Sequence, residues 1–381
     1  MKTMKWFIFN IIIITLIPVC TAQKDTVSFN GQLSAYSHYN GGNELPWLSG
    51  MRYIPQFNYG HRWPDNSLLD TEVSLNLFGN VGIKPFSESA FTGDIKPYRA
   101  WVRYSTNQFE LRAGLQKINF GSASMLRPLM WFDRIDPRDP LKLTDGVWGI
   151  LGRYYFLNNA NLWLWGLYGN DNLKGWETLS TVKPIPEFGG RLQMPVPKGE
   201  AAVSYHHRVA DGSYLPDSLQ AANEIPENRF GIDAKFDMVI GWWIEASWSV
   251  FKGFAGDWRN QEIINMGADY TFGVGNGLTV TYEHLLVAAG QNPFEFRKTT
   301  TFSLMSLSYP PGMFDYLSAI FYYDWTNNKL YNFWTWKRDF SKITLYLMGY
   351  VNPEVYYIPT QDTGEMLYAG SGIQIMLVFN H

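Results

Sequence analysis

The chain has 381 residues, a formal net charge of −3 and a single cysteine, Cys20. These values exclude a disulfide scaffold and a cysteine zinc site, and they argue against a nucleic-acid partner, which would need a basic face. Aromatic residues make up 17% of the chain, with 16 Trp, 23 Tyr and 25 Phe. That content is typical of proteins whose Tyr and Trp side chains sit at lipid–water interfaces.

The amino terminus has the pattern of a secretory signal. Lys2 and Lys5 precede an apolar run over residues 6–19, and small residues follow as far as Ala22. The run is too short for a membrane-spanning helix. We therefore predict a signal peptide over residues 1–22, cut after Ala22.

Cys20 leaves a second interpretation of this end open. A lipoprotein would carry a lipid on that cysteine, but Val19 is bulky where such sites want a small residue. In the preferred interpretation the mature chain, residues 23–381, has no cysteine, so a cysteine nucleophile is excluded as well. We predict that this part is a single domain.

Later segments alternate apolar and polar residues, as strands do between an apolar and a polar environment. In residues 242–250, Trp242, Ile244, Ala246, Trp248 and Val250 alternate with Glu245, Ser247 and Ser249. No later segment approaches the twenty or so apolar residues of a spanning helix. The pattern predicts an all-β fold, a transmembrane antiparallel β-barrel that crosses the membrane with strands.

About eighteen such segments can be counted. They lie near residues 27–39, 51–61, 68–81, 95–105, 109–118, 147–157, 161–169, 187–196, 200–208, 228–238, 240–251, 261–272, 277–287, 299–309, 313–325, 329–337, 342–351 and 366–379. An even number agrees with a bacterial barrel that has both termini in the periplasm. A count of sixteen stays open, because 299–309 alternates poorly and 326–328 is a short connection.

The connections between the predicted strands alternate in length. Those after even-numbered strands are tight, for example 105–108, 197–199 and 310–312. Those after odd-numbered strands are mostly long, namely 40–50, 82–94, 119–146, 170–186, 209–227, 288–298 and 352–365. Short periplasmic turns and long outer loops are the expected asymmetry of outer-membrane barrels.

The connection over residues 119–146 differs from the others. It is too rich in Pro and charge to be a strand, yet it carries the apolar side chains Leu126, Leu129, Trp131 and Phe132. Connections of that length without regular structure are usually functional. We predict that it folds into the lumen as a constriction, with these four side chains packed away from water.

The start of this region resembles a known family. Leu111-Arg112-Ala113-Gly114-Leu115-Gln116-Lys117-Ile118-Asn119-Phe120-Gly121, followed by Asp133-Arg134-Ile135-Asp136-Pro137-Arg138-Asp139-Pro140, resembles a segment of alginate-export-like and related porin-type outer-membrane proteins. There a strand of the form R-x-G-x-Q-x-x-x-[WF]-G leads into an N/D-P-x-D loop. The resemblance covers about a tenth of the chain and implies a substrate-conducting barrel. It carries over no substrate.

Charged residues define the candidate site. On the polar strand faces, basic residues concentrate in the first half of the wall and acidic residues such as Asp233, Glu245 and Glu283 in the second. We predict pore-lining or constriction roles for Arg99, Arg103, Glu110, Arg112, Arg127, Asp133, Arg134, Asp136, Arg138, Asp139 and Arg153. Opposed charges would create a transverse field that selects polar or ionic solutes. The alternative is that these charges only hold the loop.

We also expect ion pairs between the loop and the wall. In this prediction the loop carboxylates Asp133, Asp136 and Asp139 approach arginines of the adjacent strands, namely Arg99, Arg103, Arg112 and Arg153. Four tryptophans, Trp101, Trp163, Trp165 and Trp243, fall on the same faces and could stack on sugar rings. The favoured alternative for them is packing against the loop or a place in an interface girdle.

Motifs for other chemistry are weak. The chain has no HExxH, G-x-S-x-G or P-loop sequence, and the glycine-rich run 273–277 joins two predicted strands, as a hairpin turn does. His206 and His207 point to opposite faces of a strand and cannot chelate one metal together. We therefore expect no catalytic residues, no metal and no cofactor.

The sequence as a whole predicts a porin or substrate-selective channel of a Gram-negative outer membrane. It would pass polar or ionic small solutes passively, with saccharides among the candidates, and it would contact outer-membrane lipid and the barrel-assembly machinery. Phe379 lies near the end of the last strand, where assembly machinery reads an aromatic residue. The alternatives are a barrel enzyme of the lipase or protease type and a secreted, soluble all-β carbohydrate-binding protein. The oligomeric state stays open.

Overall fold

The computed structural model describes residues 25–213, 215, 223–253, 258–354 and 368–381. The predicted signal peptide, residues 1–22, lies outside these residues. Within them the chain forms eighteen β-strands. The strands are β1 Asp25–Asn40, β2 Trp47–Arg62, β3 Leu68–Lys84, β4 Glu88–Ser105, β5 Phe109–Gln116, β6 Val147–Tyr155, β7 Asn161–Leu167, β8 Glu187–Val196, β9 Gly199–Asp211, β10 Glu224–Asp237, β11 Gly241–Phe251, β12 Asn260–Phe272, β13 Leu278–Gly290, β14 Lys298–Tyr309, β15 Asp315–Asp324, β16 Lys329–Asp339, β17 Ile343–Val351 and β18 Ser371–Asn380.

Each strand pairs antiparallel with its neighbours in sequence, and β1 pairs with β18 to close the sheet. The closing ladder runs from Gln32 opposite Asn380 to Asn40 opposite Gly372. A closed antiparallel sheet leaves no unpaired edge where it meets lipid. The predicted eighteen-stranded barrel is therefore confirmed, and the poorly alternating segment 299–309 is a strand. The described residues contain no helix long and apolar enough to span a membrane.

Side-chain alternation gives the barrel its two faces. In β11, Trp243, Glu245 and Ser247 are buried toward the lumen, whereas Trp242 and Ile244 point outward. The outward face of the whole wall carries large exposed apolar side chains, such as Phe29 on β1. This band is what a lipid-facing surface needs and what a soluble protein would avoid.

The two ends of the barrel differ in their connections. The end with the connections after even-numbered strands is called the short-turn end, because those connections, such as 197–198 and the hairpin 273–277, are all tight. The opposite end is called the long-loop end. One predicted long connection is wrong: β4 begins at Glu88 rather than near residue 95, so 82–94 is a hairpin with a turn at 85–87. The backbone ladder between β3 and β4 continues there although the side chains stop alternating clearly.

Candidate functional site

Residues 117–146, called the inserted segment, leave the wall after β5 and return at β6. They cross the lumen and reach β11 on the other side, where Glu245 accepts hydrogen bonds from the backbone N–H groups of Ala123, at 2.8 Å, and Leu129, at 2.6 Å. Gly121, at φ +109°, makes this approach possible, because a Cβ there would collide with the Glu245 carboxylate. One wall carboxylate thus holds two points of the segment.

A second carboxylate holds the tip of the inserted segment. Glu283 on β13 accepts from three consecutive backbone N–H groups, those of Ser124 at 2.7 Å, Met125 at 3.1 Å and Leu126 at 2.6 Å. Consecutive N–H groups that converge in this way form an anion-binding concavity. Hydrogen bonds to a charged acceptor are stronger than neutral ones, so Glu283 anchors the tip firmly.

The apolar side chains of the inserted segment are buried, as predicted. Leu129, Trp131 and Phe132 are at most 3% exposed and pack with Phe120 and Trp165 against β6 and β7. Leu126 packs on the opposite side, in a cluster contributed by β12 to β17. The Trp131 indole N–H also donates to Ser247, at 2.9 Å. The segment is therefore wedged between two walls of the barrel.

A further connection, residues 168–186, also folds into the mouth of the barrel. Lys174 donates to Glu187 at 2.8 Å, and Arg229 donates to Glu177 at 2.9 Å, with all four side chains buried. Gly175 lies so close to Met130 that a Cβ would collide with its carbonyl oxygen. The sequence predicts a long outer loop over 170–186, and in the structure this connection packs on the inserted segment.

These two segments leave open space along one part of the wall. A cavity of about 1000 Å³ lies between β1 to β4 and β18 on one side and the second half of the inserted segment on the other. Its lining includes Arg52 on β2 and Lys96 on β4, and Arg134 and Asp139 on the segment. The open part of the lumen is therefore polar and charged.

The charges around the cavity are mostly paired. Lys96 pairs with Asp145 at 2.8 Å, and Asp171 pairs with Lys183 at 2.9 Å. Within the described part of the chain, the guanidinium groups of Arg52 and Arg134 have no carboxylate partner. Burial raises the pKa of Asp139, although the backbone N–H groups of Leu141 and Leu143 donate to its carboxylate.

The expected ion pairs between the inserted segment and the wall arginines do not form. Asp133 pairs with Arg127 of the same segment, at 3.0 Å, and Asp136 pairs with Arg138, at 2.7 Å. The folded segment places its own Arg127 and Arg138 within hydrogen-bond range of these two carboxylates. Arg99 donates instead to the carbonyl oxygens of Thr144, at 2.9 Å, and Tyr98.

Three of the predicted arginines lie together on the wall. Arg103, Arg112 and Arg153 surround Glu110 on the short-turn side of the inserted segment. Arg103 also forms a two-pronged pair with Asp70, at 2.9 and 2.7 Å. The remaining predicted residues, Arg127, Asp133, Arg134, Asp136, Arg138 and Asp139, lie on the segment itself.

The lumenal tryptophans divide into two pairs. Trp165 and Trp243 are 4% and 2% exposed, so neither has a free face for a sugar ring, and Trp165 packs on the inserted segment. Trp101 and Trp163 each lie under an arginine: Arg112 is 4.8 Å from the Trp101 ring and Arg153 is 3.8 Å from the Trp163 ring. His206 and His207 point to opposite faces as predicted, with His206 buried beside Glu187.

The anchoring role of Glu245 and Glu283 was missed. The alternation of side chains along β11 and β13 placed both side chains in the lumen and suggested that they face an open pore. They accept instead from the backbone of the inserted segment, and no residue pattern signals an acceptor for backbone N–H groups. Among the described residues, no three His, Cys, Asp or Glu side chains come close enough together to hold a metal ion.

No protein-family model matches the sequence, and no curated protein matches it. Solved structures do. The chain is similar to OmpT, an outer membrane protein of Vibrio cholerae in its trimer form, with a TM-score of 0.54 and 11% identity over 94% of this chain and 100% of that one. It is also similar to an anion-selective porin from Comamonas acidovorans, with a TM-score of 0.50 and 11% identity over the same shares.

At 11% identity these likenesses concern the fold. They establish that the chain has the fold of an outer-membrane porin, a closed antiparallel barrel. The porin-type part of the resemblance seen at Leu111–Pro140 agrees with them, whereas its alginate-export-like part has no counterpart in either structure's description.

Proposed function

We propose that this protein is an outer-membrane porin or substrate-selective channel for the passive passage of small polar or ionic solutes. The observation that carries the proposal is the inserted segment, which is anchored across the lumen and leaves a charged cavity of about 1000 Å³ beside it. A narrowed, water-accessible passage with fixed charges selects solutes by size and charge.

The proposal includes export and membrane insertion. Residues 1–22 would be removed as a signal peptide, residues 23–381 would form one barrel domain, and the barrel-assembly machinery of a Gram-negative bacterium would insert it. Support comes from the exposed apolar band and from Phe379, which points outward near the end of β18. The mature chain should fractionate with the outer membrane and migrate differently on gels before and after heating. Recovery as a soluble periplasmic protein would contradict this proposal.

Conduction is tested directly in planar bilayers. Purified protein should give discrete single-channel currents in KCl. Neutralising Arg103 and Arg112 together, as R103Q/R112Q, should shift the reversal potential toward cation preference, because it removes positive charge from the wall beside the passage. Unchanged currents and potentials in this variant would place these arginines outside the permeation path.

The solute class can be narrowed by size and charge. Saccharides are candidates because the resemblance at Leu111–Pro140 includes alginate-export-like proteins. Liposome swelling with glucose, glucuronate and a neutral disaccharide of larger size separates these possibilities. Equal rates for all three would favour an unselective porin.

We propose no enzymatic activity, and one pair of residues makes this worth testing. His284 and Ser303 lie 2.9 Å apart on the outward face, and a barrel lipase would need such a pair. Tyr282 and Trp325 also hydrogen-bond to the Ser303 hydroxyl, and among the described residues no carboxylate or amide hydrogen-bonds to His284. A nucleophile and base without an orienting group do not make a triad. Esterase activity that S303A abolishes would revive the enzyme alternative.

A further inference from the structure

Arg103, Arg112 and Arg153, called the arginine cluster, come from the three neighbouring strands β4, β5 and β6. Arg103 lies directly opposite Arg112 in the β4–β5 ladder, and Arg153 lies opposite Glu110 in the β5–β6 ladder. Like charges directly opposite each other are destabilising in a sheet. The wall therefore concentrates positive charge at a place where repulsion between Arg103 and Arg112 opposes it.

One carboxylate serves all three arginines. Glu110 is 3.0 Å from Arg112, within hydrogen-bond range, but 3.7 Å from Arg103 and 3.6 Å from Arg153. Asp70 accepts two hydrogen bonds from the Arg103 guanidinium group and forms no ion pair with Arg112 or Arg153. Glu110 alone therefore leaves the cluster short of acceptors.

Arg112 and Arg153 keep unused donors. In the described part of the chain, the Nε atoms of both are buried without a hydrogen-bond partner. The guanidinium group of Arg153 makes no hydrogen bond to any described residue, and that of Arg112 makes a single one, to Glu110. A guanidinium group has five N–H donors, and leaving buried ones unmade costs free energy.

The same two guanidinium groups are held in place and stay partly exposed. Trp101 lies under Arg112 and Trp163 under Arg153, and such stacking fixes the planes of the guanidinium groups. Their side chains stay 15% and 16% exposed to the lumen. The Nη groups that make no hydrogen bond, both of Arg153 and one of Arg112, are not among the buried atoms, so a solute in the lumen can reach these oriented donors although the two Nε atoms are buried.

We propose that the arginine cluster is a binding subsite for an oxyanion group, such as a phosphate, sulfate or carboxylate, on its way through the barrel. An oxyanion presents two oxygen atoms at the spacing of a guanidinium fork, and Arg112 and Arg153 would bind it through the donors that Glu110 leaves free. Chloride has no such pair of acceptors. The subsite rests on the proposed channel function and adds the chemical class of the preferred solute.

Single-channel recording on the full mature chain tests the subsite. Inorganic phosphate or sulfate added to KCl should reduce the chloride current and saturate at millimolar concentration. R153Q should raise the half-blocking concentration about tenfold, the effect of losing one charge-assisted forked contact. R153K should lose nearly as much, because lysine keeps the charge but has no fork. K337Q is the matched control, since Lys337 is a lumenal cation paired with Asp339 on a distant strand, and it should leave the block unchanged.

Solutes that carry the oxyanion distinguish its sources. Glucose 6-phosphate and glucuronate should block as inorganic phosphate does if the subsite serves organic acids, whereas neutral glucose should not. Block by the inorganic ions alone would assign the subsite to free oxyanions. Both results support the subsite.

The proposed subsite and the proposed channel function can be contradicted independently of each other. An absence of any conductance overturns the channel function. Conductance that phosphate affects no more than chloride does overturns the subsite and leaves the channel intact. If phosphate blocks R153K as strongly as the native channel, recognition of the oxyanion by the guanidinium fork is contradicted, and simple charge attraction explains the block. R112Q repeats the test on a second strand, and heat-modifiable migration confirms that each variant has folded.

Discussion

Glu283 shows how one side chain holds a long irregular segment. Its carboxylate accepts from the N–H groups of Ser124, Met125 and Leu126, which no other described acceptor serves. An amide in its place would keep one acceptor oxygen and turn the other position into a donor. The tip of the inserted segment would then lose one charge-assisted contact and face an opposing N–H group.

The variant E283Q should loosen the inserted segment without unfolding the barrel. The expected loss is about 1.5 to 3 kcal/mol of local anchoring, the usual contribution of a hydrogen bond to a charged group. Channel currents should become noisier and residues 122–132 more sensitive to protease. E72Q is the control, because Glu72 lies on the wall and accepts from Ser74. Equal noise in both variants would contradict the anchoring role.

Asp139 makes the charge of the cavity depend on pH. Burial raises the pKa of its carboxyl group above the ordinary value, so the group loses its negative charge at a higher pH than an aspartate in water does. Below that pKa the cavity is more positive. The anion preference of the channel should therefore rise on acidification.

Reversal potentials measured across a pH series test this expectation. D139N should be anion-preferring at every pH, near the value that the native channel reaches in acid. D145N is the control, because Asp145 pairs with Lys96. This variant should shift the reversal potential at every pH but leave the pH at which the potential changes the same as in the native protein. If the reversal potential of D139N still changes at the same pH as that of the native protein, a group other than Asp139 controls the pH dependence.

At the scale of elements, the inserted segment and the wall are held by different forces. The wall closes its own backbone hydrogen bonds from strand to strand and needs no help from the segment. The segment is held by two carboxylates and by buried apolar side chains such as Leu129 and Trp131, each of which contributes about 1.5 to 3 kcal/mol. The segment should therefore be removable.

Replacing residues 122–131 by a short Gly-Ser linker should leave the barrel folded and raise its single-channel conductance about twofold or more, because the element that narrows the lumen is gone. The freed carboxylates of Glu245 and Glu283 would become hydrated. The same linker in place of residues 85–87, the exposed turn between β3 and β4, is the control and should leave conductance unchanged. Loss of heat-modifiable migration in the first variant alone would mean that the wall depends on the segment.

At the scale of the whole molecule, the asymmetry between the two ends predicts the orientation in the membrane. Tags in 209–227 and 352–365, which lie partly outside the described residues, should be detected on intact cells, whereas tags in 105–108 or 310–312 should be hidden in the periplasm. Residues 170–186 should resist protease from outside, because Lys174 and Glu177 are buried in the barrel mouth. Detection of the short turns on intact cells would invert the orientation.

The sequence by itself determined an antiparallel barrel of about eighteen strands, the order of these strands and the faces of most of their side chains. In β11 the alternation of Trp242 and Trp243 is a local property, because each residue along a strand points to the face opposite its neighbour's. The inserted segment was predictable for a similar reason, since Leu129, Trp131 and Phe132 cannot be left in water.

Only the tertiary structure decided which charges meet. The alternation of side chains along β13 placed Glu283 in the lumen, but its partners are backbone N–H groups from a segment far away in sequence. Asp133 found Arg127 within its own segment rather than an arginine on the wall. A carboxylate binds whichever donor the chain path brings within hydrogen-bond range, and that path depends on how the inserted segment packs across the barrel.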